Sequence, residues 1–178
     1  MKSFTEELIA PCGINCGVCS LYLAYSSGLP EKRGNIRHCV GCKPRNEPLR
    51  TYVRSFGEWN SIYYSCRIHP RSYLRGFLRH TRHKKCTRCK TGNINKIRFC
   101  YECSNFPCEM LERLEKRYLD GYKRTESPIG NLKKIKKLGM KKFLVLERKN
   151  WNCPKCGGVV CVHNGKCYNC EKVTSCRE

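Results

Sequence analysis

The sequence predicts an α+β protein made of small cysteine-rich modules that are joined by short helices. Three observations lead to this fold class. Cysteine accounts for 17 of the 178 residues, 36 Lys and Arg stand against only 14 Asp and Glu, and short amphipathic stretches separate the cysteine groups. No apolar run approaches the roughly 18 residues of a membrane span, and the first residues do not have the pattern of an export signal. We therefore expect a cytoplasmic protein whose thiols stay reduced.

Twelve of the cysteines form Cys-x2-Cys pairs, and this spacing predicts metal binding. The pairs are Cys16/Cys19, Cys39/Cys42, Cys86/Cys89, Cys100/Cys103, Cys153/Cys156 and Cys167/Cys170. Because a two-residue gap lets both sulfurs of a turn reach one ion, two such pairs complete a closed tetrahedral zinc shell. Taken in order, the pairs predict about three zinc ions per chain, held in zinc ribbons or knuckles. The last two sites, at 86–103 and 153–170, share one spacing, and the second of them predicts a C-terminal zinc ribbon.

The remaining cysteines leave several alternatives open. They are Cys12, Cys66, Cys108, Cys161 and Cys176. Cys12, Cys66, Cys108 or Cys161 could replace a ligand of the sets above, as could His163, which we otherwise expect in a surface turn. Cys12-x3-Cys16-x2-Cys19 also fits three corners of an iron–sulfur cluster. We favour closed structural zinc sites over an iron–sulfur cluster or catalytic zinc. No catalytic motif is recognisable, so the sequence argues against an enzyme without excluding one.

These patterns divide the chain into five segments. We expect an N-terminal zinc module at 1–43, a basic Arg-rich insertion at 44–85, a second zinc module with a helix at 86–126, a basic helical segment at 127–150 and the zinc ribbon at 151–178. Since its four ligands lie so close in sequence, the ribbon is expected to fold on its own. Loss of one of its ligands would then unfold residues 151–170 alone.

Apolar residues recur at helical spacing in four stretches. The first is Leu21–Tyr25, and the second is a helix opened by Pro107 with Met110, Leu111, Leu114 and Tyr118 on one face. The third begins at Ser127-Pro128 and ends at Gly139, with Ile129, Leu132, Ile135 and Leu138 at helical spacing. The fourth covers residues 140–149, with Phe143 and Leu144 facing inward. Proline in the first turn and glycine after the last turn are typical helix boundaries.

Several of these motifs, in this order, resemble a known family. They are Pro11-Cys12-Gly13-Ile14-Asn15-Cys16-Gly17-Val18-Cys19, Cys39-Val40-Gly41-Cys42, the run from Phe99 to Cys108, and the Trp151–Cys170 segment. On these residues the chain resembles, over most of its length, the prokaryotic family catalogued as domain of unknown function 3795. The resemblance implies a cysteine-rich, zinc-binding cytoplasmic protein and supplies no catalytic residue. The stretch between Cys42 and Cys86 is longer and more basic than in that family, which suggests an insertion with its own task.

Two acid-free blocks predict binding to a polyanion. Eleven Lys or Arg and no acid lie between Glu58 and Glu102, and six lysines and no acid lie between Ser127 and Leu146. Arg71, Arg75, Arg79 and Arg82 would share one stripe of a helix, with Tyr73, Leu74, Phe77 and Leu78 opposite. The candidate contacts are Arg67, Arg71, Arg75, Arg79, Arg82, Lys84, Lys85, Lys133, Lys134 and Lys137. Stacked cations repel one another, and phosphates would relieve this repulsion.

The formal charge of +22 would fall only to about +16 if three four-thiolate zinc sites formed. No helix-turn-helix, homeodomain or Cys2His2 finger is recognisable, and arginine with exposed tyrosine suits irregular RNA. We therefore expect structured RNA as the partner, with ribosomal RNA or the ribosome as the target by analogy with other small basic zinc proteins. The alternatives are an ordinary solvated basic face, and a thiol-based redox or metal-responsive protein that uses Cys12 or Cys108. The sequence does not indicate an oligomeric state.

Overall fold

Short helices carry most of the regular structure in the residues that the computed structural model describes, which are 4–32, 35–36, 38–39, 41 and 99–175. These helices are α1 (Ser20–Ser26), α2 (Glu109–Asp120), α3 (Pro128–Leu138) and α4 (Met140–Trp151), with 3₁₀ turns at Glu6–Leu8, Cys16–Val18 and Cys100–Glu102. Within these ranges β structure is limited to four isolated bridges, Ile9–Asn15, Lys32–Ile36, Asn152–Val159 and Val160–Cys167. The described chain is therefore mixed helical with little strand, which confirms the helical part of the predicted fold class. None of its helices is long and apolar enough to cross a membrane.

Local sequence signals set the helix ends where the structure has them. The Ser127 hydroxyl accepts a hydrogen bond from the Gly130 N–H at 2.8 Å and caps α3, and Gly139 ends it with a φ of +80°. The predicted start and stop of this helix are confirmed. Leu132 and Ile135 of the apolar series are buried, whereas Leu138 is 37% exposed. It lies in the last turn, about 120° around the helix from the buried Leu132, and so at the edge of the apolar face.

One hydrophobic core joins distant parts of the chain. It contains residues from the N-terminal segment, from α1 to α4 and from the C-terminal segment, such as Ile9, Leu114, Leu132, Phe143 and Val162. Helix α3 packs between α2 and α4. Val159, Cys161, Val162 and Tyr168 belong to this core, whereas Cys153, Val160 and Cys167 form a small cluster of their own. Because part of the C-terminal segment shares the main core, we revise the expectation that residues 151–170 would unfold alone. The division into five segments stays a prediction, and the insertion at 44–85 lies outside the described residues.

A buried polar network ties the N-terminal segment to α3 and α4. The Asn15 backbone N–H donates to Glu126 Oε1 at 2.8 Å, and its side-chain amide donates to Glu147 Oε2 at 2.9 Å. Asn131 Nδ2 donates to Glu126 at 3.0 Å, and Trp151 Nε1 donates to Glu147 at 3.0 Å. Burial raises the pKa of both carboxyl groups, that of Glu126 well above its ordinary value. Hydrogen bonds of this kind make buried polar groups tolerable and orient the chain that they hold.

Candidate metal centre

Four cysteines of the C-terminal segment meet in a compact group, which we call the tetrad. It consists of Cys153, Cys156, Cys167 and Cys170, whose sulfur atoms all lie within 4.8 Å of one another. The Cys153 and Cys170 sulfurs are 3.8 Å apart, and the Cys156 and Cys167 sulfurs are 3.5 Å apart. A tetrahedron with metal–sulfur bonds of about 2.3 Å has edges of about 3.8 Å, so these separations fit one four-coordinate ion.

Two similar turns position the tetrad. The Gly157 N–H donates to the Cys153 carbonyl at 2.9 Å, and the Glu171 N–H donates to the Cys167 carbonyl at 3.0 Å, so each turn is closed by a bond between residues four positions apart. Gly157 has a φ of +70°, a conformation that glycine adopts without strain. Each turn contributes one buried and one exposed cysteine, Cys153 with Cys156 and Cys167 with Cys170. The tetrad therefore lies at the surface with one side against the protein.

Hydrogen bonds and the closeness of the sulfurs shift the pKa values of the tetrad thiols. The N–H groups of Cys156 and Lys155 lower the pKa of the Cys153 thiol to about 7. Hydrogen bonding with the Cys156 thiol, followed by burial, raises the pKa of Cys170 to about 12. Crowded sulfurs therefore do not all ionise together without a metal, because each negative charge opposes the next. A divalent ion would remove that repulsion and release the remaining protons.

The donor set fits zinc. Four thiolates in tetrahedral positions are typical of structural zinc and are also found around iron. Each sulfur belongs to a side chain that the spacing had selected, and neither Cys161 nor His163 is part of the group. The tetrad is therefore compatible with a bound metal ion such as zinc.

Two of the other Cys-x2-Cys pairs form turns of nearly the same shape. The Cys19 N–H donates to the Cys16 carbonyl at 3.1 Å, and the Cys103 N–H donates to the Cys100 carbonyl at 3.1 Å. The second cysteine of each turn has almost the same backbone angles, φ −77° and ψ 137° for Cys19 and φ −80° and ψ 138° for Cys103. Cys16 and Cys19 thus adopt the local geometry of a two-sulfur turn, as do Cys100 and Cys103.

The backbone brings other predicted ligands near these turns. The Cys39 N–H donates to the Leu21 carbonyl at 3.1 Å, and the Cys100 N–H donates to the Pro11 carbonyl, next to Cys12, at 2.9 Å. Within the described ranges, however, only the tetrad brings three or more candidate ligand atoms within 4.8 Å. Cys42, Cys86 and Cys89 lie outside the described residues, as do Cys66 and Cys176. Two further sites, and the total of three ions, stay predictions.

His163 does not lie in a surface turn, and that expectation is wrong. Its side chain is only 4% exposed, and its ring meets the Tyr122 ring edge to face with centroids 4.3 Å apart. Its Nδ1 accepts a hydrogen bond from the Ser20 N–H at 3.2 Å, and the fully buried Cys161 sulfur is 4.0 Å from the same nitrogen. The cause is tertiary packing, because the N-terminal segment and residue 122 cover this turn. Sequence spacing gave no signal of this role.

The second acid-free block forms a basic surface, which we call the lysine face. It consists of the exposed side chains of Lys133, Lys134, Lys136, Lys137, Lys141, Lys142, Arg148 and Lys149 on α3 and α4. The acid of these two helices, Glu147, is 4% exposed and turned into the buried network. The structure therefore exposes the predicted contacts Lys133, Lys134 and Lys137. The predicted contacts Arg67, Arg71, Arg75, Arg79, Arg82, Lys84 and Lys85 lie outside the described residues.

Comparisons with known proteins do not assign this chain to a family. No protein-family model matches the chain, and neither curated proteins nor solved structures gave a significant match. The resemblance drawn from the sequence motifs accordingly stays an expectation.

Proposed function

We propose that the protein is a zinc-stabilised, basic protein that binds structured RNA, with ribosomal RNA as the expected target. The C-terminal segment, a zinc ribbon in this proposal, holds one structural ion in the tetrad. The lysine face supplies part of the contact with phosphates, and the arginine block between Glu58 and Glu102 is expected to supply more. Zinc here serves folding rather than chemistry, since four thiolates leave no open coordination position.

The lysine face is the observation that carries the RNA proposal. Eight cations are exposed on two consecutive helices, and the acid that could neutralise them is buried. Among the described residues, the cations of this face form no ion pair within 4.0 Å. A surface whose cations lack a close ion-pair partner among these residues gains free energy when phosphates displace its counterions and release those of the nucleic acid. Irregular RNA is favoured because no groove-reading DNA motif is recognisable.

The first prediction concerns metal content. We expect the protein purified without oxygen to contain zinc, and Cys156→Ser to contain one ion fewer than the wild type. The reason is that Cys156 is an exposed ligand whose loss opens the coordination shell with little change in packing. Elemental analysis measures the difference, and cobalt substitution should give the intense visible bands of a tetrahedral thiolate site. Lys155→Ser, next to it in the same turn, is the matched control and should keep the full count. Iron in place of zinc would contradict the proposal.

The second prediction concerns RNA. Neutralising Lys133, Lys134 and Lys137 to glutamine should weaken binding to ribosomal RNA by about tenfold or more at moderate salt. For each phosphate that the variant no longer neutralises, the slope of log affinity against log salt should also fall by about 0.7 to 0.9. Filter binding at several salt concentrations measures both quantities. Glutamine is preferable to glutamate here because Lys134 lies near Glu147 and helps to keep its charge tolerable.

A second triple variant separates local contact from total charge. Lys116, Lys166 and Lys172 are exposed and belong to α2 and the C-terminal segment rather than to α3 and α4. Their change to glutamine removes the same net charge. This control should retain most of the affinity. Equal reductions in affinity in the two triple variants would mean that RNA binding depends on net charge and not on the lysine face. If the wild type did not bind RNA, the RNA proposal would be wrong and a thiol-based role would be favoured.

A further inference from the structure

The two halves of the tetrad are connected by residues that reach the opposite end of the chain. Residues 160–163, which we call the bridging segment, lie between the ligand pair Cys153/Cys156 and the pair Cys167/Cys170. The Val162 N–H donates to the Val18 carbonyl at 2.9 Å, and Val18 is part of the 3₁₀ turn between Cys16 and Cys19. The C-terminal segment thus pairs its backbone directly with an N-terminal cysteine turn.

His163 adds a side-chain contact at the start of α1. The N-cap residue of this helix, Cys19, makes no side-chain capping bond, although the first N–H groups of any helix lack partners within it. His163 Nδ1 accepts from the N–H of Ser20, the first helical residue, at 3.2 Å. His163 therefore supplies from the bridging segment the cap that the local sequence does not provide.

The bridging segment is held on its other side as well. The Lys123 N–H donates to the His163 carbonyl at 3.2 Å, and the Arg124 N–H donates to the Val162 carbonyl at 3.1 Å. The Tyr122 ring covers the imidazole. These contacts hold the imidazole so that its Nδ1 faces the start of α1, and His163 is not part of the tetrad.

Backbone contacts connect this segment to the chain around both turns of the tetrad. The Val160 N–H donates to the Trp151 carbonyl at 2.9 Å, Val160 is bridged to Cys167, and the Cys161 N–H donates to the Lys166 carbonyl at 2.9 Å. Because an ion would join the turns on both sides, it would close the hairpin that presents Val162 and His163. Without the ion, only these few backbone bonds and the core contacts would hold the hairpin.

We propose that metal bound at the tetrad orders the Cys16–Cys19 turn and the start of α1, and that His163 is the positioning residue of this link. The proposal rests on the proposed zinc site. It makes the geometry of the N-terminal cysteines depend on the C-terminal ion, although the two lie more than 130 residues apart in sequence. The sulfurs of Cys16 and Cys19 are thus held ready for their own ligand when the tetrad is filled.

Amide hydrogen exchange tests the link. In zinc-loaded wild type, the Val18, Cys19 and Ser20 amides should be protected. In Cys156→Ser, exchange at Cys19, Ser20 and Val162 should become at least about tenfold faster, while the amides of Leu132 and Ile135 in α3 change much less. Lys155→Ser, the exposed neighbour, should exchange like the wild type. The proposal would be overturned if a Cys156→Ser protein shown to have lost its zinc exchanged the Ser20 amide as slowly as the wild type. That result would still support zinc binding by the tetrad of the wild type.

A pair of variants at His163 keeps the test decisive if Cys156→Ser fails to fold. Asparagine can place an acceptor oxygen near the position of Nδ1, whereas leucine cannot. With zinc bound in both, exchange at Ser20 should be at least about tenfold faster in His163→Leu than in His163→Asn. Zinc content or the cobalt spectrum confirms that the tetrad is filled in each variant. Equal exchange at Ser20 in the two variants would show that His163 acts only by filling space.

Discussion

Gly13→Ala is expected to lower the free energy of unfolding by about 2 to 5 kcal/mol. Gly13 has a φ of +88°, and a Cβ placed on it would lie 2.2 Å from the Pro128 carbonyl oxygen and 2.8 Å from Leu132 Cγ. Both neighbours belong to α3, and one of them is backbone that cannot turn aside. The Gly13 carbonyl also accepts a hydrogen bond from Asn131 Nδ2 at 3.0 Å, so a shift of α3 would break a buried hydrogen bond. Chemical denaturation with zinc present measures the loss of stability.

Gly28→Ala separates the backbone strain of a positive φ from the steric clash of the added Cβ. Gly28 has a φ of +67°, yet among the described residues no atom apart from its chain neighbours lies within 4 Å of a Cβ placed on it. This variant should therefore cost only the backbone strain, about 1 to 2 kcal/mol. If the two glycine variants were destabilised equally, the close approach of α3 to the N-terminal loop would not contribute.

Glu126→Gln is expected to make the protein progressively more stable than the wild type as the pH rises above about 4.5. Burial first, and then the neighbouring Glu147 and Cys16 charges, raise the pKa of Glu126 in the folded protein well above its ordinary value of 4.5. Below that pH the carboxyl is protonated in both states and contributes no difference. Above it the unfolded chain ionises first, so the wild type loses up to about 1.4 kcal/mol per pH unit until the folded carboxyl also ionises. Glutamine does not ionise, and its Oε1 can accept from Asn15 and Asn131 in the same way.

The measurement is the difference in unfolding free energy between variant and wild type at several values from pH 5 to 8. Taking the difference at each pH removes the contribution of metal release, which both proteins share. Glu112→Gln, an exposed position on α2, is the matched control and should show a nearly constant difference. A difference that stays flat for Glu126→Gln as well would mean that the carboxyl is ionised in the fold throughout this range.

Local features of this protein could be predicted from its amino-acid sequence alone. The spacing of Cys153, Cys156, Cys167 and Cys170 predicted a group that the structure brings within 4.8 Å. Ser127 and Gly139 predicted the ends of α3. These signals succeed because turns, caps and paired ligands depend on residues a few positions apart, whose geometry the backbone restricts directly. The exposure of the lysines on α3 and α4 could also be predicted from the sequence, because lysine is ordinarily found at the surface.

Which distant residues come into contact depends on tertiary packing and could not be predicted from the sequence. Periodicity could not show that Glu126 and Glu147 are buried around Asn15, because a carboxylate is ordinarily exposed and becomes tolerable inside only through partners from other segments. It also gave no sign that His163 would cap α1, since this contact joins residues 143 positions apart. Such contacts follow from how the helices and the two C-terminal turns pack into one core, which is a property of the whole chain rather than of any segment within it.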